Sequence, residues 1–144
     1  MAKRKYEKYI TAQPKPNLVQ DFFGPPAKLV KVAQVAYQDD DVIKGSFYVE
    51  GVWFLKCAGE ISVHPHIHDF DEVLSFFGSD PENPHDLGGE VEFWYDDEQY
   101  IITKSCILFV PKGLKHCPLI FRRVDRPFFH FAAANAGIYR GKKK

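Results

Sequence analysis

Three histidines alternate along one short stretch of this chain, and a glutamate follows them. His64, His66 and His68 are separated by single residues, so a β-strand would place their imidazoles on one face, because side chains repeat every second residue along a strand. Glu72 comes four residues after His68, where a turn would return its carboxylate toward the same point. His116 arrives from the distant segment PKGLKH. Imidazole and carboxylate groups are ligands of first-row transition metals, so the pattern predicts a metal site.

Two segments of the chain are similar to the two sequence motifs of the cupin superfamily. HIHDFDEVLSFFG contains HxH, then three residues and a glutamate, then five residues and Gly78. PKGLKH contains PxG, two residues and a histidine. The motifs follow in the expected order, and the resemblance covers roughly residues 42–131. It implies an all-β, cupin-type jelly-roll barrel, also called a double-stranded β-helix. The metal ligands that it implies are His66, His68, Glu72 and His116.

Two further histidines are candidate catalytic residues. His64 would share the strand face of the ligand histidines, so it lies either at the rim of the metal site or simply exposed where the strand begins. His130, in PFFHFAA, either points into the barrel as a base beside the site or packs among its aromatic neighbours. Cys117 adjoins His116. Because neighbouring residues of a strand face opposite ways, we interpret Cys117 as a buried thiol outside the site.

The implied ligand set predicts a working metal centre rather than a structural one. Three neutral imidazoles and one carboxylate balance one charge of a divalent ion, and in an octahedral site they leave two positions open. Structural zinc sites usually close at four tetrahedral ligands and often use thiolates. Imidazole and carboxylate discriminate poorly among first-row metals. The predicted cofactor is therefore a divalent transition metal, namely Mn, Fe, Ni, Co or Zn.

Three functions fit such a centre, and the sequence leaves them open. The favoured hypothesis is a small metal-dependent enzyme whose ion acts as a Lewis acid on a small oxygenated or carboxylate substrate, in a lyase, decarboxylase or isomerase reaction. An iron-dependent dioxygenase is the enzymatic alternative, because two open positions suit O₂ and a chelating substrate. A non-catalytic barrel that binds a small ligand is the third, since a fold does not determine a function.

Composition indicates one compact domain. The chain has 144 residues, of which 45% are hydrophobic and 15% aromatic, enough for one sizeable core but not for two. The sequence contains neither a secretory signal nor an apolar run of membrane-spanning length, so we expect a cytoplasmic protein. Cys57, Cys106 and Cys117 are odd in number and show no CxxC spacing, which favours reduced thiols.

Positive charge is concentrated at the two ends of the chain. The formal net charge is zero, but residues 1–8 and 140–144 hold eight of the nineteen basic side chains, and the remainder has a net charge of minus seven. An acidic domain argues against a nucleic-acid groove, and we predict that the basic ends are solvated tails. No Lys or Arg occurs between Lys56 and Lys104. The candidates for a cation that holds an anionic substrate are Lys56, Lys112, Lys115, Arg122, Arg123 and Arg126.

Alternating apolar residues and turn residues predict many short strands. In GSFYVEGVWFLKC two apolar stretches meet near Gly51, which predicts a bend, a bulge or a hairpin. EVEFWYDDEQYIITK predicts a hairpin around Asp96 and Asp97, and SDPENPHDLGG predicts a long loop. The predicted organisation is a single domain, with an N-terminal arm and early strand at 1–41, the cupin barrel core at 42–134 and a basic C-terminal tail at 135–144.

The N-terminal arm also bears on the expected partners. Residues 1–30 contain four prolines, so the arm should be extended. Phe22 and Phe23 within it favour packing against another surface, and we predict a homodimer in which the arm is exchanged or packed at the interface. The other expected partner is a small-molecule ligand or substrate, and neither nucleic acid nor a membrane is expected.

Overall fold

The computed structural model describes residues 4–16, 31–57, 59, 61–140 and 142–143, and within them the chain is almost entirely β-structure. A single 3₁₀ turn, Glu7–Tyr9, precedes the strands. The strands are β1 Lys31–Gln38, β2 Val49–Lys56, β3 Ile61–Val63, β4 His66–Ile67, β5 Glu72–Gly78, β6 Asp86–Tyr95, β7 Glu98–Lys104, β8 Cys106–Val110, β9 His116–Val124, β10 Phe128–Ala134 and β11 Lys142–Lys143.

The strands form two antiparallel sheets that enclose an aromatic core. The order is β1-β2-β10-β5-β8 in the five-stranded sheet and β11-β4-β9-β6-β7 in the other, where β3 also pairs with β9. Phe54 of the first sheet stacks on Phe121 of the second with ring centroids 4.0 Å apart, and both are buried. Because apolar residues alternate along the strands, one face of each sheet lies in this core. The predicted all-β class is confirmed.

The chain does not turn at Gly51. Strand β2 runs without interruption from Val49 to Lys56, so a hairpin at this glycine is wrong. The irregularity is a bulge in the partner strand β1, where the register shifts between Gln34 and Ala36, opposite Gly51. A Cβ atom at Gly51 would lie 2.8 Å from the ring of Phe129. The glycine therefore makes room for an aromatic ring on the sheet surface.

The predicted hairpin around Asp96 is confirmed, and the predicted loop before it is shorter than expected. Tyr95 of β6 lies opposite Glu98 of β7, and Asp96 has φ 52°, as tight hairpin turns require. β6 begins at Asp86, so the last four residues of SDPENPHDLGG belong to a strand. Leu87 is fully buried there, and this burial outweighs the turn-forming composition around it.

The described part of the N-terminal arm packs on its own chain. The Tyr37 N–H donates to the Gln13 carbonyl at 3.2 Å, and Lys15 Nζ lies 2.6 Å from a carboxylate oxygen of the buried Asp39. Phe22 and Phe23 lie outside the described residues, so the exchange of the arm between two copies stays a prediction. Among the described residues, no helix is long and apolar enough to cross a membrane.

The described C-terminal residues do not form a loose tail, although Arg140 is exposed. Lys142–Lys143 form β11, which pairs with β4, the strand that begins with His66. Tyr139 stacks on the buried Tyr48 with ring centroids 4.4 Å apart. An aromatic side chain that can be buried against another ring anchors a segment despite its basic neighbours. The segment therefore closes over the site described below.

Candidate metal centre

The four side chains implied by the two motifs converge at one buried point. His66 and His116 begin β4 and β9 and lie opposite one another, His68 follows β4, and Glu72 begins β5. Their exposed fractions are only 1% to 3%. Nε2 of His66 lies 3.0 Å from Nε2 of His68. The Glu72 carboxylate oxygens lie 3.4 Å from Nε2 of His68 and 3.7 Å from Nε2 of His116.

Backbone hydrogen bonds join the two motif turns, and this join brings the distant segments together. The Gly113 N–H donates to the His68 carbonyl at 2.9 Å, and the Lys112 N–H donates to Asp71 Oδ1 at 2.8 Å. Asp71 also accepts a hydrogen bond from the Asn135 side chain at the end of β10, and its own N–H donates to that side chain. The turn before β5 is therefore tied both to the turn before β9 and to the end of β10.

Each histidine uses its Nδ1 atom to hold its ring in place. His66 Nδ1 donates to the His64 carbonyl at 2.7 Å, His68 Nδ1 to the Arg140 carbonyl at 2.5 Å, and His116 Nδ1 to the Leu114 carbonyl at 3.0 Å. A carbonyl oxygen only accepts, so the proton of each neutral ring sits on Nδ1. The Nε2 lone pairs then face the common point, which is the arrangement of metal-binding histidines.

The site meets the requirements of a divalent cation. Glu72 Oε2 and His116 Nε2 are buried without a hydrogen-bond partner among the described residues. Burial lowers the pKa of His68 to about 4 and that of His116 to about 3, so both rings are neutral at pH 7. Burial also raises the pKa of Glu72 to about 8. The contacts of Glu72 with the histidines are thus not ion pairs, and a cation is the group that would satisfy these atoms together.

Cys117 does not face away from the site, and the interpretation that placed it outside is wrong. Its φ of 72° breaks the alternation of β9, and the register between β6 and β9 shifts between Phe93 and Tyr95, opposite this point. His116 and Cys117 are consequently both buried on the inner side. The Cys117 Sγ lies within 4.8 Å of ligand atoms of His66 and His116. Burial raises the thiol pKa well above its ordinary value, which keeps the thiol protonated.

A cavity of about 180 Å³ opens beside His66, Glu72 and His116. Its walls combine apolar side chains of both sheets with a few polar groups. None of the six basic residues considered above lines it, and it contains two carboxyl groups, those of Glu50 and Glu72. The polar and titratable residues of its lining are Gln34, Tyr48, Glu50, Ser62, His66, Glu72, His116, Cys117, His130 and Tyr139.

Five of these lining residues are not among the sequence candidates, namely Gln34, Tyr48, Glu50, Ser62 and Tyr139. Tyr139 hydrogen-bonds to Glu72, and the Tyr48 hydroxyl donates to Glu50 Oε1 at 2.7 Å. Tyr48 and Glu50 alternate along the chain with the buried Val52, which is the one signal that could have placed them on the inner face. Tyr139 lies in the short sequence GIYRG, where no periodicity exists. Its position depends on the tertiary structure alone.

The two candidate catalytic histidines lie in different surroundings. His130 is buried and lines the cavity, where Nδ1 donates to the Ser75 carbonyl at 2.7 Å and the ring stacks on Phe76 at 4.8 Å. Burial lowers its pKa to about 4. His64 is half-buried and is not among the cavity-lining residues. Its carbonyl is the group that contacts the site, through Nδ1 of His66.

Comparison with known proteins identifies the fold. No protein-family model and no curated protein sequence matches the chain. An oxalate oxidase in complex with the substrate analogue glycolate superposes with a TM-score of 0.51 at 16% identity, over 88% of this chain and 59% of that chain. A cupin superfamily protein from Desulfitobacterium hafniense gives 0.48 at 16% identity, over 85% and 94% of the two chains. KdgF from Halomonas sp. gives 0.46 at 13% identity, over 72% and 77%. The chain has the cupin fold, as its motifs predict.

Proposed function

We propose that this chain of cupin fold is an enzyme that holds one divalent transition-metal ion and uses it as a Lewis acid on a small oxygenated or carboxylate substrate, in a lyase, decarboxylase or isomerase reaction. The proposed ligands are His66, His68, Glu72 and His116. The observation that carries the proposal is the pair of buried, unpartnered atoms, Glu72 Oε2 and His116 Nε2, beside a cavity. A bound divalent ion polarises a carbonyl or carboxylate oxygen and lowers the pKa of water.

The cavity limits the size of the substrate. A protein cavity of about 150 Å³ accommodates benzene, and this cavity measures about 180 Å³. The substrate that we propose therefore has on the order of ten non-hydrogen atoms or fewer. Apolar walls formed by Val52, Phe54, Leu74 and Leu119 suit a short carbon skeleton.

The charges of the cavity limit where an anionic group of the substrate can lie. Among the described residues, neither a Lys nor an Arg lines the cavity, and Glu50 places a second carboxyl group there in addition to Glu72. A substrate carboxylate has to lie against the bound metal ion, because a buried anion needs a compensating positive charge. Hydroxyl and carbonyl groups suit the part of the cavity near Tyr48 and Glu50.

Two residues outside the ligand set are proposed to exchange protons with the substrate. Glu50 accepts a hydrogen bond from Tyr48, and burial raises the pKa of its carboxyl group, so it holds a proton more readily than an exposed glutamate. His130 is proposed as a proton acceptor through Nε2, because its Nδ1 proton is engaged by the Ser75 carbonyl. The role proposed for His64 is that of its backbone carbonyl, which accepts from Nδ1 of His66.

Metal content tests the first part of the proposal. We expect protein purified without added metal to contain close to one equivalent of a first-row ion by elemental analysis, and a His66→Ala/His116→Ala variant to contain less than about a tenth. His64→Ala is the matched control, because it removes a neighbouring imidazole but keeps the carbonyl that orients His66. A wild-type content below about a tenth of an equivalent, unchanged in the double variant, would contradict the metal site.

Product analysis tests the second part. Metal-loaded protein is incubated with small hydroxy acids, keto acids and sugars, with and without oxygen, and the products are identified by mass spectrometry. The proposal predicts oxygen-independent turnover that Glu50→Gln reduces at least about tenfold while metal content is unchanged. Turnover that consumes oxygen identifies the dioxygenase alternative. A compound that raises the melting temperature but is recovered unchanged identifies a ligand-binding role.

A further inference from the structure

Cys117 lies at the ligand cluster but has no role in the proposed function. A ring nitrogen of His66, a ring nitrogen of His116 and the Cys117 Sγ all lie within 4.8 Å of one another. A second group of donors, from His68, Glu72 and His116, meets the same distance. The two groups share His116 and differ in chemistry, because one contains a sulfur atom and the other a carboxylate.

The backbone holds the Cys117 thiol on the inner side of β9. Regular alternation after the buried His116 would turn the next side chain away from the core. Cys117 instead has φ 72°, a value that non-glycine residues seldom adopt, and it is buried and lines the cavity. Unusual backbone conformations persist where the surrounding structure holds them, and they cluster at functional sites. The conformation therefore points to a use of the thiol beyond packing.

The other two cysteines provide an internal comparison. Cys57 and Cys106 are partly buried and pack against the apolar core, which is the usual position of a thiol that only fills space. Among the described residues, neither of them belongs to a group of donors close enough to hold an ion. Cys117 thus differs from them by its place beside two imidazoles, and not by burial alone.

His116 Nε2 supplies independent evidence for a ligand at this point. It is buried without a hydrogen-bond partner among the described residues, while Nδ1 of the same ring donates to the Leu114 carbonyl. A buried lone pair of this kind needs a donor or a cation. A tetrahedral ion, with bonds of about 2.0 Å to nitrogen and about 2.3 Å to sulfur, keeps its donors roughly 3.5 Å apart. Donors that lie within 4.8 Å of one another close around such an ion after shifts on the order of 1 Å.

We infer that Cys117, His66 and His116 form a second coordination position, which holds a thiophilic divalent ion, Zn²⁺ by preference, through a thiolate. We call it the sulfur position. Thiolate ligands favour zinc, whereas carboxylate oxygen suits Mn²⁺. Three protein ligands leave the fourth tetrahedral position of zinc open, and Cys117 lines the cavity from which water or a substrate would fill it. Because both groups of donors need His116, an ion occupies one of them at a time.

Binding at the sulfur position exchanges a proton for a metal ion. The Cys117 sulfur loses its proton to water as the sulfur–zinc bond forms, and no electron is transferred, because a coordinating thiol is deprotonated. The sulfur position shares two ligands with the proposed centre, but it does not depend on the reaction proposed above. It adds a preference among metals, with zinc on the sulfur side of His116 and harder ions on the side of His68 and Glu72.

X-ray absorption spectroscopy of the zinc-loaded wild-type protein tests the sulfur position without any substitution. We expect a sulfur neighbour at about 2.3 Å from zinc, in addition to nitrogen neighbours at about 2.0 Å. The cobalt-loaded protein should likewise show a thiolate-to-metal charge-transfer absorption. Zinc that is bound at one equivalent by nitrogen and oxygen alone would overturn the sulfur position and leave the proposed four-ligand centre intact.

Two single substitutions separate the sulfur side of His116 from the carboxylate side. Competition with a chromophoric chelator measures the dissociation constants of the full-length protein for Zn²⁺ and Mn²⁺. Cys117→Ser should raise the constant for Zn²⁺ at least about tenfold and leave that for Mn²⁺ unchanged, whereas Glu72→Gln should have its larger effect on Mn²⁺. Cys106→Ser is the matched control, because it removes a partly buried thiol away from the cluster and should change neither constant.

Three results distinguish the sulfur position from the proposed four-ligand centre. A Cys117→Ser variant that is folded by circular dichroism and binds Zn²⁺ as tightly as the wild type would overturn the sulfur position alone. Sulfur-bound zinc in the wild type, together with zinc binding that survives both Glu72→Gln and His68→Ala, would support the sulfur position and contradict the four-ligand centre. A wild-type protein that binds neither ion would contradict both.

Discussion

At the scale of single residues, the site depends on how each histidine distributes its two nitrogens. His66, His68 and His116 each donate Nδ1–H to a backbone carbonyl. Nε2 of His68 and of His116 faces Glu72, and Nε2 of His66 faces that of His68. His130 makes the same kind of bond with Ser75 but lies on a different strand and stacks on Phe76. The same local bond thus orients the three imidazoles proposed as ligands and, in the fourth place, the cavity-lining imidazole proposed as a base.

The buried His130 should make the stability of the protein depend on pH. Burial lowers its pKa to about 4 in the folded state, whereas an unfolded chain has the ordinary value of about 6.5. Between these values the unfolded state binds more protons, so the free energy of unfolding falls as pH falls. The test is urea unfolding of wild type and His130→Asn in the presence of a chelator; the asparagine keeps a donor to the Ser75 carbonyl. From pH 7.5 to pH 5, the free energy of unfolding of the variant should fall by about 2 kcal/mol less than that of the wild type.

The control for this prediction is His85→Asn, which changes an exposed histidine of the loop before β6. Its pH dependence should match that of the wild type. If the free energy of unfolding falls equally with pH in wild type and in His130→Asn, burial does not lower the pKa of His130 in the folded state.

At the scale of elements, the C-terminal segment is part of the site rather than an appendage. The Arg140 carbonyl accepts from Nδ1 of His68, the Tyr139 hydroxyl group bonds to Glu72, and β11 pairs with the strand of His66. Three of the four proposed ligands are thus in contact with residues 139, 140, 142 and 143 or pair with their strand. A backbone carbonyl or hydroxyl that orients a ligand commonly changes metal affinity by about 10- to 100-fold.

Two truncations separate these contributions. A chain that ends at Gly137 loses Tyr139, the Arg140 carbonyl and β11, and we expect its metal affinity, measured by competition with a chromophoric chelator, to fall about 10- to 100-fold. A chain that ends at Gly141 keeps the first two contacts, with Arg140 still carrying a peptide carbonyl, and should lose less. If both truncated chains bind metal as tightly as the full chain, the segment does not orient the ligands.

At the scale of the whole molecule, the proposed ion would join the two sheets. His66 and His116 belong to the six-stranded sheet, whereas Glu72 belongs to the five-stranded sheet. Ligands from separate sheets come together only in the folded chain, so the free energy of metal binding adds to that of folding. The metal content should therefore change global stability and not only the surroundings of the site.

Removal of the metal should lower the melting temperature of the whole protein. A free ion at about 100 times its dissociation constant stabilises the folded state by about 2.7 kcal/mol, which corresponds to roughly 10 °C for a chain of this size. Differential scanning calorimetry before and after chelation measures the change, and re-addition of the ion should reverse it. The His66→Ala/His116→Ala variant should melt at the same temperature with and without chelator.

Much of this structure could be predicted from local patterns. The alternation of apolar residues identified most strands, and the residues Asp96 and Asp97 identified the hairpin between β6 and β7. The two motifs pointed to the four side chains that converge. Each of these signals depends on residues within about ten positions of one another, or on a fixed spacing in the sequence. The regular geometry of strands and turns places side chains at such a spacing in known relative positions.

The remaining features depend on contacts that no local pattern contains. Cys117 turns inward because its own positive φ interrupts β9. Tyr139 is partly buried because Tyr48, some ninety residues earlier and just before β2, offers it a ring. Near Gly51 the sequence predicts a bend, a bulge or a hairpin; the structure has a bulge opposite this glycine in β1, and the glycine itself makes room for the Phe129 ring from the adjacent strand. In each case the burial of a side chain against a distant partner outweighs the preference of the local sequence.

The sequence by itself determined which side chains are able to ligate a metal, that many short strands form, and that one core can be buried. The tertiary structure decided which further groups share the cavity and hold the ligands. The physical reason is that ligand chemistry and strand alternation are properties of residue type and spacing. The Arg140 carbonyl and the Tyr139 ring contact His68 only in the folded chain. They come together because burial of apolar surface packs segments that are far apart in the sequence.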